Sequence, residues 1–128
     1  MLENLTVIKL ASAMARHAGV RHSVIAENVA NADTPGYRAR DIEPFSAVVN
    51  EAFTARATRD GHLGGSGASG VKTPPAAEIA FPASPDGNTV SLADQSRRAV
   101  AATGQQKLAT TVYSKTADIM RIALGPGR

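Results

Sequence analysis

The chain has no cysteine and no tryptophan among its 128 residues, and aromatic residues make up only 4% of it. Without cysteine it can form no disulfide bond, no thiolate nucleophile and no cysteine metal site. This absence fits a reducing compartment and equally a secreted protein that folds without bridges. The scarcity of aromatic side chains argues against recognition of nucleic-acid bases by stacking.

Long apolar runs are also missing. No segment approaches the roughly 20 apolar residues of a membrane-spanning helix. The first ten residues have neither the basic start nor the uninterrupted apolar stretch of a cleaved secretory signal. We therefore expect neither membrane insertion nor export by the classical route.

Large apolar side chains are scarce, although the hydrophobic fraction is 43%. Alanine accounts for 24 of these residues, and leucine, isoleucine, valine and phenylalanine together account for 26. The latter make up about 20% of the chain, near the limit at which a sequence can bury a stable core. A self-sufficient globular enzyme is therefore disfavoured, and we expect contacts with other molecules to supply part of the burial.

Two long segments have the periodicity of an α-helix. From about residue 4 to residue 31 the chain has no proline, and its apolar residues recur at steps of three and four. This helix would be roughly 40 Å long. The second segment begins at Ser91, which forms an approximate capping box with Asp94, and ends at Gly125 and Pro126.

These segments predict a mainly α-helical fold whose terminal helices pair as an antiparallel, coiled-coil-like hairpin. We expect residues 1–34 and 91–128 to form one discontinuous domain around an extended, loop-rich middle segment, residues 35–90, that could contain a short β-hairpin. Two helices cannot close a core, so their remaining apolar faces would meet other subunits. The residues predicted to pack between helices or subunits are Leu5, Ile8, Ala15, Ile25, Val29, Leu108, Val112, Ile119 and Ile122.

The first helix is followed by a turn. Asn31 can cap the helix in the left-handed conformation, and Pro35 and Gly36 suit the central positions of a type II turn. Bonding to backbone of a neighbouring subunit is an alternative for Asn28 and Asn31. Tyr37 is either part of a partner-binding corner or a half-buried turn residue.

The middle of the chain is less regular. Residues 38–54 could form a short helix or an extended segment, and their periodicity does not decide between the two. Residues 55–87 are rich in glycine and proline, which is typical of a linker, and contain one candidate strand at residues 78–81.

No group of side chains predicts catalysis or metal binding. His17 and His22 are five residues apart, which does not place both on one helix face as ligands. Asp41 and Glu43 lack a nearby nucleophile or oxyanion feature, so we interpret them as solvated loop charges. The glycine-rich run of the linker lacks the lysine and hydroxyl residue of a phosphate-binding loop. We therefore expect no enzyme activity, no cofactor and no small-molecule substrate.

Charge supports an alternative interpretation. The net charge is +3, the isoelectric point is near 9.7, and the C-terminal helix carries more basic than acidic residues. A basic helical module could dock on an acidic protein or a nucleic acid. However, no basic run exceeds Arg97-Arg98, so binding of nucleic acid is disfavoured.

Two blocks of the sequence resemble the flagellar rod, hook and hook-filament axial proteins. The first block, Asn28-Val-Ala-Asn-Ala-Asp-Thr-Pro-Gly-Tyr37, is similar to the signature of that family, and its proline and tyrosine resemble the proximal rod members most. The second block opens the C-terminal helix. The matching residues are Asn28, Ala30, Asn31, Thr34, Pro35, Gly36 and Tyr37 in the first block and Asp86, Gly87, Asn88, Val90 and Leu92 in the second.

The resemblance implies a structural subunit of the bacterial flagellar basal body. It would lie in the proximal rod, which connects the inner-membrane ring to the distal rod and transmits torque. The implied partners are copies of itself, other rod subunits, the adaptor FliE and the ring protein FliF. The implied location is the periplasm, reached through the type III export apparatus without a cleaved signal.

The resemblance also suggests an export motif. Phe45 and Val49 have the aromatic-x-x-x-apolar spacing of the motif that rod and hook substrates present to the flagellar secretion apparatus. The alternative is a small hydrophobic anchor that packs in the assembled rod.

Overall fold

The computed structural model describes residues 2–54 and 71–125, with side chains described for residues 6–50 and 71–125. Within these residues the elements follow in the order α1 (Leu2–Ala30), β1 (Arg40–Asp41), α2 (Phe45–Thr54), β2 (Ala77–Glu78) and α3 (Leu92–Leu124). Helices α1 and α3 contain 29 and 33 residues, so they are roughly 43 and 50 Å long. The mainly helical fold predicted from the sequence is confirmed.

The two long helices pack side by side in antiparallel directions. Asn28, near the end of α1, donates a hydrogen bond to Gln95, near the start of α3. At the opposite end of the pair, Val7 and Met14 line the same apolar groove as Val112. The predicted hairpin of terminal helices is therefore present.

A narrow line of buried residues, here called the seven-residue seam, runs along each long helix. On both helices its members recur every seven residues, which is the spacing of a coiled-coil interface. The seam consists of Ala11, Ala18 and Ile25 on α1 and of Gln95, Ala102, Ala109 and Thr116 on α3. Because most of these side chains are alanines, the helix axes can approach closely, but little apolar area is buried.

Both ends of α3 follow the sequence prediction. The Ser91 side chain accepts a hydrogen bond from the Asp94 N–H at 3.3 Å, which caps the helix. At the other end, Gly125 has φ +74° and donates its N–H to the Ile122 carbonyl. Glycine suits this position because a positive φ is costly for other residues.

The middle segment contributes a short helix and a small sheet. Strands β1 and β2 pair antiparallel, with Arg40 opposite Glu78 and Asp41 opposite Ala77. Residues 38–54 thus contain a strand followed by α2. The strand predicted at residues 78–81 is mostly wrong, because β2 covers only Ala77–Glu78. Its partner Asp41 lies 36 positions before Ala77 in the chain rather than across a tight turn.

The predicted packing residues have different environments. Ile25 is buried, whereas Ile8, Ala15 and Val112 are half-buried. The Leu5 side chain lies outside the described residues. The remaining four expose much of their surface: Val29 46%, Leu108 57%, Ile119 57% and Ile122 79%. The chain itself leaves these last side chains largely uncovered.

Candidate functional site

The two sequence blocks meet at one end of the helix pair, in a region here called the polar corner (residues 28–45 and 84–98). The Gly36 N–H donates to the Asp86 carbonyl at 2.9 Å, and the Thr89 N–H donates to the Tyr37 carbonyl at 3.0 Å. The Thr89 hydroxyl also accepts from the Ala39 N–H at 2.8 Å. Segments about 50 residues apart in sequence therefore form one structural unit.

Asn28 lies at the centre of the polar corner, and its side chain is fully buried. Its amide group donates to the Arg40 carbonyl at 2.7 Å and to Gln95 Oε1 at 3.1 Å. Its carbonyl oxygen accepts from the Arg40 N–H at 3.0 Å and from the Tyr37 hydroxyl at 3.3 Å. These four bonds use the full hydrogen-bonding capacity of an asparagine side chain. No donor or acceptor site of Asn28 is left to bond to the backbone of a neighbouring subunit.

Asn88, from the second block, binds the turn that follows α1. Its amide nitrogen donates to the carbonyls of Asn31, Ala32 and Thr34 at 2.8–2.9 Å. These carbonyls belong to the turn that follows α1, because the helix ends at Ala30. Asn88 is 2% exposed, so a buried residue 54 to 57 positions away in sequence holds this turn against the start of the second block.

The turn after α1 confirms one prediction and corrects another. The Tyr37 N–H donates to the Thr34 carbonyl at 3.2 Å, and Gly36 has φ +71°, as expected for a type II turn. The left-handed conformation predicted for Asn31 is wrong, because only glycines have positive φ among the described residues. Asn31 instead caps locally through its side chain, which donates to the Glu27 carbonyl at 2.8 Å.

The blocks also approach closely through their glycines. Gly87 has φ +82°, and a Cβ atom added there would lie 3.5 Å from the Cα atom of Gly36. The Asp86 side chain accepts from the Asn88 N–H at 3.0 Å, which orients the turn. The Asp-Gly-Asn sequence is thus used to bring Asn88 under the end of α1.

Asp41 is a second junction in the polar corner. It is 7% exposed and pairs with Arg21 of α1 at 2.7 Å and with Arg98 of α3. Arg98 also pairs with Asp94 at 2.6 Å. The interpretation of Asp41 as a solvated loop charge is wrong, because its carboxylate links three separate elements. Glu43, by contrast, is exposed.

The ion pairs set the protonation state of Asp41. Burial by itself raises the pKa of a carboxyl group. Hydrogen bonds from Arg21 and the Ile42 N–H, the charge of Arg21 and the bond from Arg98 outweigh burial and hold the pKa of Asp41 below the ordinary value of an aspartate. Asp41 is therefore ionised at neutral pH.

Phe45 of the suggested export motif is an internal anchor in the folded chain. It is 6% exposed, and its ring meets the edge of His17 with 5.4 Å between ring centroids. His17 is also buried, and its Nε2 atom donates to the Glu43 carbonyl at 2.8 Å. Val49 is half-buried on α2, one turn beyond Phe45.

Some residues of the two blocks remain available at the surface. Ala30, Thr34, Pro35 and Asp86 are exposed, and Leu92 is 55% exposed. Tyr37 and Val90 are half-buried. The two blocks therefore contain buried polar contacts and, around them, the exposed residues named above, here called the outer rim.

The polar corner has the chemistry of a structural junction. Its buried side-chain amides and carboxylates, those of Asn28, Asp41, Asn88, Asp94 and Gln95, are engaged with partners inside the chain. Across residues 2–54 and 71–125, no group of three histidine or acidic residues is arranged to hold a metal ion. In the same residues, no helix is long and apolar enough to cross a bilayer.

Comparison with known proteins identifies relatives of this chain. Residues 10–38 match the family described as flagella basal body rod protein. The chain is also 36% identical over 66 residues to the flagellar basal body rod protein FlgB of Agrobacterium fabrum, an alignment that covers 49% of this chain and 49% of that protein. It thus aligns with about half the length of this curated relative. These matches confirm the resemblance to flagellar rod proteins, and the family match includes Asn28 and the turn at Gly36.

Proposed function

We propose that this chain is a structural subunit of the rod of the bacterial flagellar basal body, without catalytic activity. One observation carries the proposal: the match to rod proteins lies on a helix whose pairing with α3 leaves apolar surface uncovered. The most exposed large apolar side chains of α3, at 57–79% exposure, are Val100, Leu108, Ile119, Ile122 and Leu124. An assembled tube would bury these side chains, and their burial would add to the small intrachain interface.

Within the rod, we place the subunit in the proximal part, between the inner-membrane ring and the distal rod. The turn sequence at Pro35 and Tyr37 and the similarity to a FlgB protein support this position. The polar corner would fasten one end of the helix pair, so that torque loads both helices together.

The proposed neighbours are further copies of this chain, other rod subunits, the adaptor FliE and the ring protein FliF. The proposed location is the periplasmic part of the basal body, reached through the flagellar type III export apparatus. The small apolar area buried within the chain supports this route. A subunit that is exported unfolded would bury the rest of its apolar surface only when it assembles with its neighbours.

The charge distribution does not favour the alternative of a basic docking module. Arg97 and Arg98 both pair with Asp94, and Arg121 lies 3.4 Å from Asp118. Three arginines of α3 are thus paired with local acids, and these two acids offset two of the five positive charges of the helix, which weakens any attraction to a polyanion.

Crosslinking in intact basal bodies would test the function. A photoreactive residue at Val112, in the apolar groove, is expected to crosslink to a neighbouring rod subunit, and one at Tyr37 to report on the outer rim of the polar corner. An electron-microscopy map of the same preparation would locate the subunit. Basal bodies that lack this chain and yet contain a complete rod would contradict the proposal.

The export motif needs a separate test, because Phe45 is buried after folding and could be recognised only in an unfolded chain. We propose that Phe45 and Val49 act together in export. A variant with Phe45→Ala and Val49→Ala should be secreted severalfold less than the parent chain. The control is Val48→Ala, which removes a side chain buried in the fold but lies outside the motif spacing. Normal secretion of the double variant would eliminate the motif.

A further inference from the structure

The seven-residue seam does not by itself define how α1 and α3 align. On α3, a shift of seven residues brings Ala102 to the place of Ala109, and a similar shift on α1 exchanges Ala11 and Ala18. Because these exchanged side chains are identical, the alanines of the seam would bury similar contacts in the shifted pair, and only Ile25, Gln95 and Thr116 at its ends would meet different neighbours. An interface of this kind permits several registers unless another feature selects one.

Gln95 interrupts the repetition. It occupies a seam position on α3, is 1% exposed, and accepts a hydrogen bond from the buried amide of Asn28. The other bonds of Asn28 fix it to Arg40 and Tyr37 in the turn after its own helix. A seven-residue shift would separate Asn28 from Gln95 and leave a buried donor and a buried acceptor without partners, which is costly.

The hydrogen bonds of Asn88 also favour the observed register. They attach the residues just before α3 to the carbonyls of the turn that follows α1. The start of α3, only four positions later at Leu92, is thereby held beside the end of α1. In a coiled coil, a single buried polar residue can determine register in this way.

We propose that Asn28, Gln95 and Asn88 form a register lock, which selects one alignment of two helices whose alanine-rich seam would accept others. They are positioning residues, since they act through the placement of α3. The lock concerns folding of the single chain and does not depend on the proposed role in the rod. It gives the two rod-like sequence blocks a task within the subunit.

Cysteine crosslinking can measure the register, because the chain has no cysteine of its own. Cysteines at Leu10 and Val112, which line the same groove, report the native register. Cysteines at Leu10 with Gln105, or at Leu10 with Ile119, report shifts of seven residues in the two directions, about 10.5 Å along the helix. Each pair is oxidised to a disulfide in the purified chain, and the yields are compared.

The variant with Asn88→Ala and Gln95→Met removes both parts of the lock. We expect its ratio of native to shifted crosslinks to fall about tenfold or more, the change that corresponds to losing one buried hydrogen bond with unsatisfied partners. Thr116→Val is the matched control, because Thr116 is a buried polar seam residue whose hydroxyl donates to the Val112 carbonyl of its own helix at 2.8 Å. The control should keep the parent ratio.

Circular dichroism shows whether each variant is folded. If the double variant loses its helices, Gln95→Met alone provides the test, because it keeps the bonds of Asn88. The ratio of native to shifted crosslinks should then fall by a smaller factor. An unchanged crosslink ratio in the folded double variant, or in Gln95→Met where only that variant folds, overturns the proposal. An equal change in Thr116→Val overturns it too, because any buried polar seam residue would then have the same effect.

Discussion

Arg21 and Asp41 form a two-pronged ion pair in which Nε lies 3.0 Å from Oδ1 and the second guanidinium nitrogen lies 2.7 Å from Oδ2. Arg98 of α3 binds the same carboxylate. One side chain on a two-residue strand thus connects the middle segment to both long helices. Removal of Asp41 would leave the largely buried Arg21 without this acid, which is costly.

Asp41→Asn should therefore destabilise the chain by roughly 2–3 kcal/mol, because Arg21 loses its charged acceptor and Arg98 keeps only Asp94. Chemical denaturation followed by circular dichroism would measure the change. Asp118→Asn is the control: Asp118 and Arg121 are 49% and 80% exposed, so that change should stay within about 0.5 kcal/mol. Similar effects of the two substitutions would contradict the role given to Asp41.

The same carboxylate predicts how stability depends on pH. Because the pKa of Asp41 is lowered in the folded chain, its contribution is present at neutral pH and is lost as the pH falls through the folded value. The difference in unfolding free energy between the parent chain and Asp41→Asn should be constant between about pH 7 and pH 5 and shrink below about pH 4. A difference that stays constant down to pH 2 would show that ionisation of Asp41 is not the source.

Asn88→Ala should loosen the turn that follows α1. The carbonyls of Asn31 and Thr34 keep backbone donors, whereas that of Ala32 loses its donor from Asn88, so we expect a loss of roughly 1–2 kcal/mol. Amide hydrogen exchange should also become faster at Gly36 and Tyr37. In Asn31→Ala, which removes a bond to an exposed helix carbonyl, the loss should be below about 1 kcal/mol. Unchanged amide hydrogen exchange in Asn88→Ala would contradict the role of Asn88 in holding this turn.

Two glycines inside the long helices can be replaced with a gain in stability. A Cβ atom at Gly19 or at Gly104 meets nothing within 4 Å, and alanine favours the helix over glycine by about 1 kcal/mol. Each substitution should raise the unfolding free energy of the isolated chain by about 0.5–1 kcal/mol in thermal or chemical unfolding. Gly36→Ala is the opposite control: φ is +71° there, so alanine should destabilise by about 1 kcal/mol.

Exposed apolar residues of α3 should matter for assembly more than for folding. Leu108→Gln with Ile119→Gln changes two side chains that are each 57% exposed, so the isolated chain should keep its stability within about 1 kcal/mol. Incorporation into basal bodies and swimming motility should fall strongly. The control is Val20→Gln on α1, at a side chain that is 41% exposed. Full motility of the α3 variant would exclude this face as a subunit contact.

The long helices could be predicted from the sequence because their signals are local. Apolar spacing, the Ser91 cap and the stop at Gly125 all lie within or next to the helix that they define. The type II turn at Gly36 was predictable for the same reason. Each of these features depends on residues only a few positions apart.

The polar corner could not be predicted because its contacts are distant. Asn28 and Gln95 are 67 positions apart, and Asp41 and Arg98 are 57 positions apart. A polar residue at a seam position, such as Gln95, was a usable signal, but nothing local identified its partner. Asp41 looked solvated because both of its arginines belong to other segments.

The pairing of β1 with β2 determines which part of the chain is free to vary in length. Asp41 and Ala77 are partners in the small sheet, so the chain leaves β1 and enters β2 at neighbouring points. A doubling of the length of a flexible loop costs only about 0.6 kcal/mol in closure entropy. Insertion of a short affinity tag after α2, in the glycine-rich residues 64–70, should leave the helix pair intact. The segment is therefore a natural place to lengthen or label the subunit without disturbing its alignment.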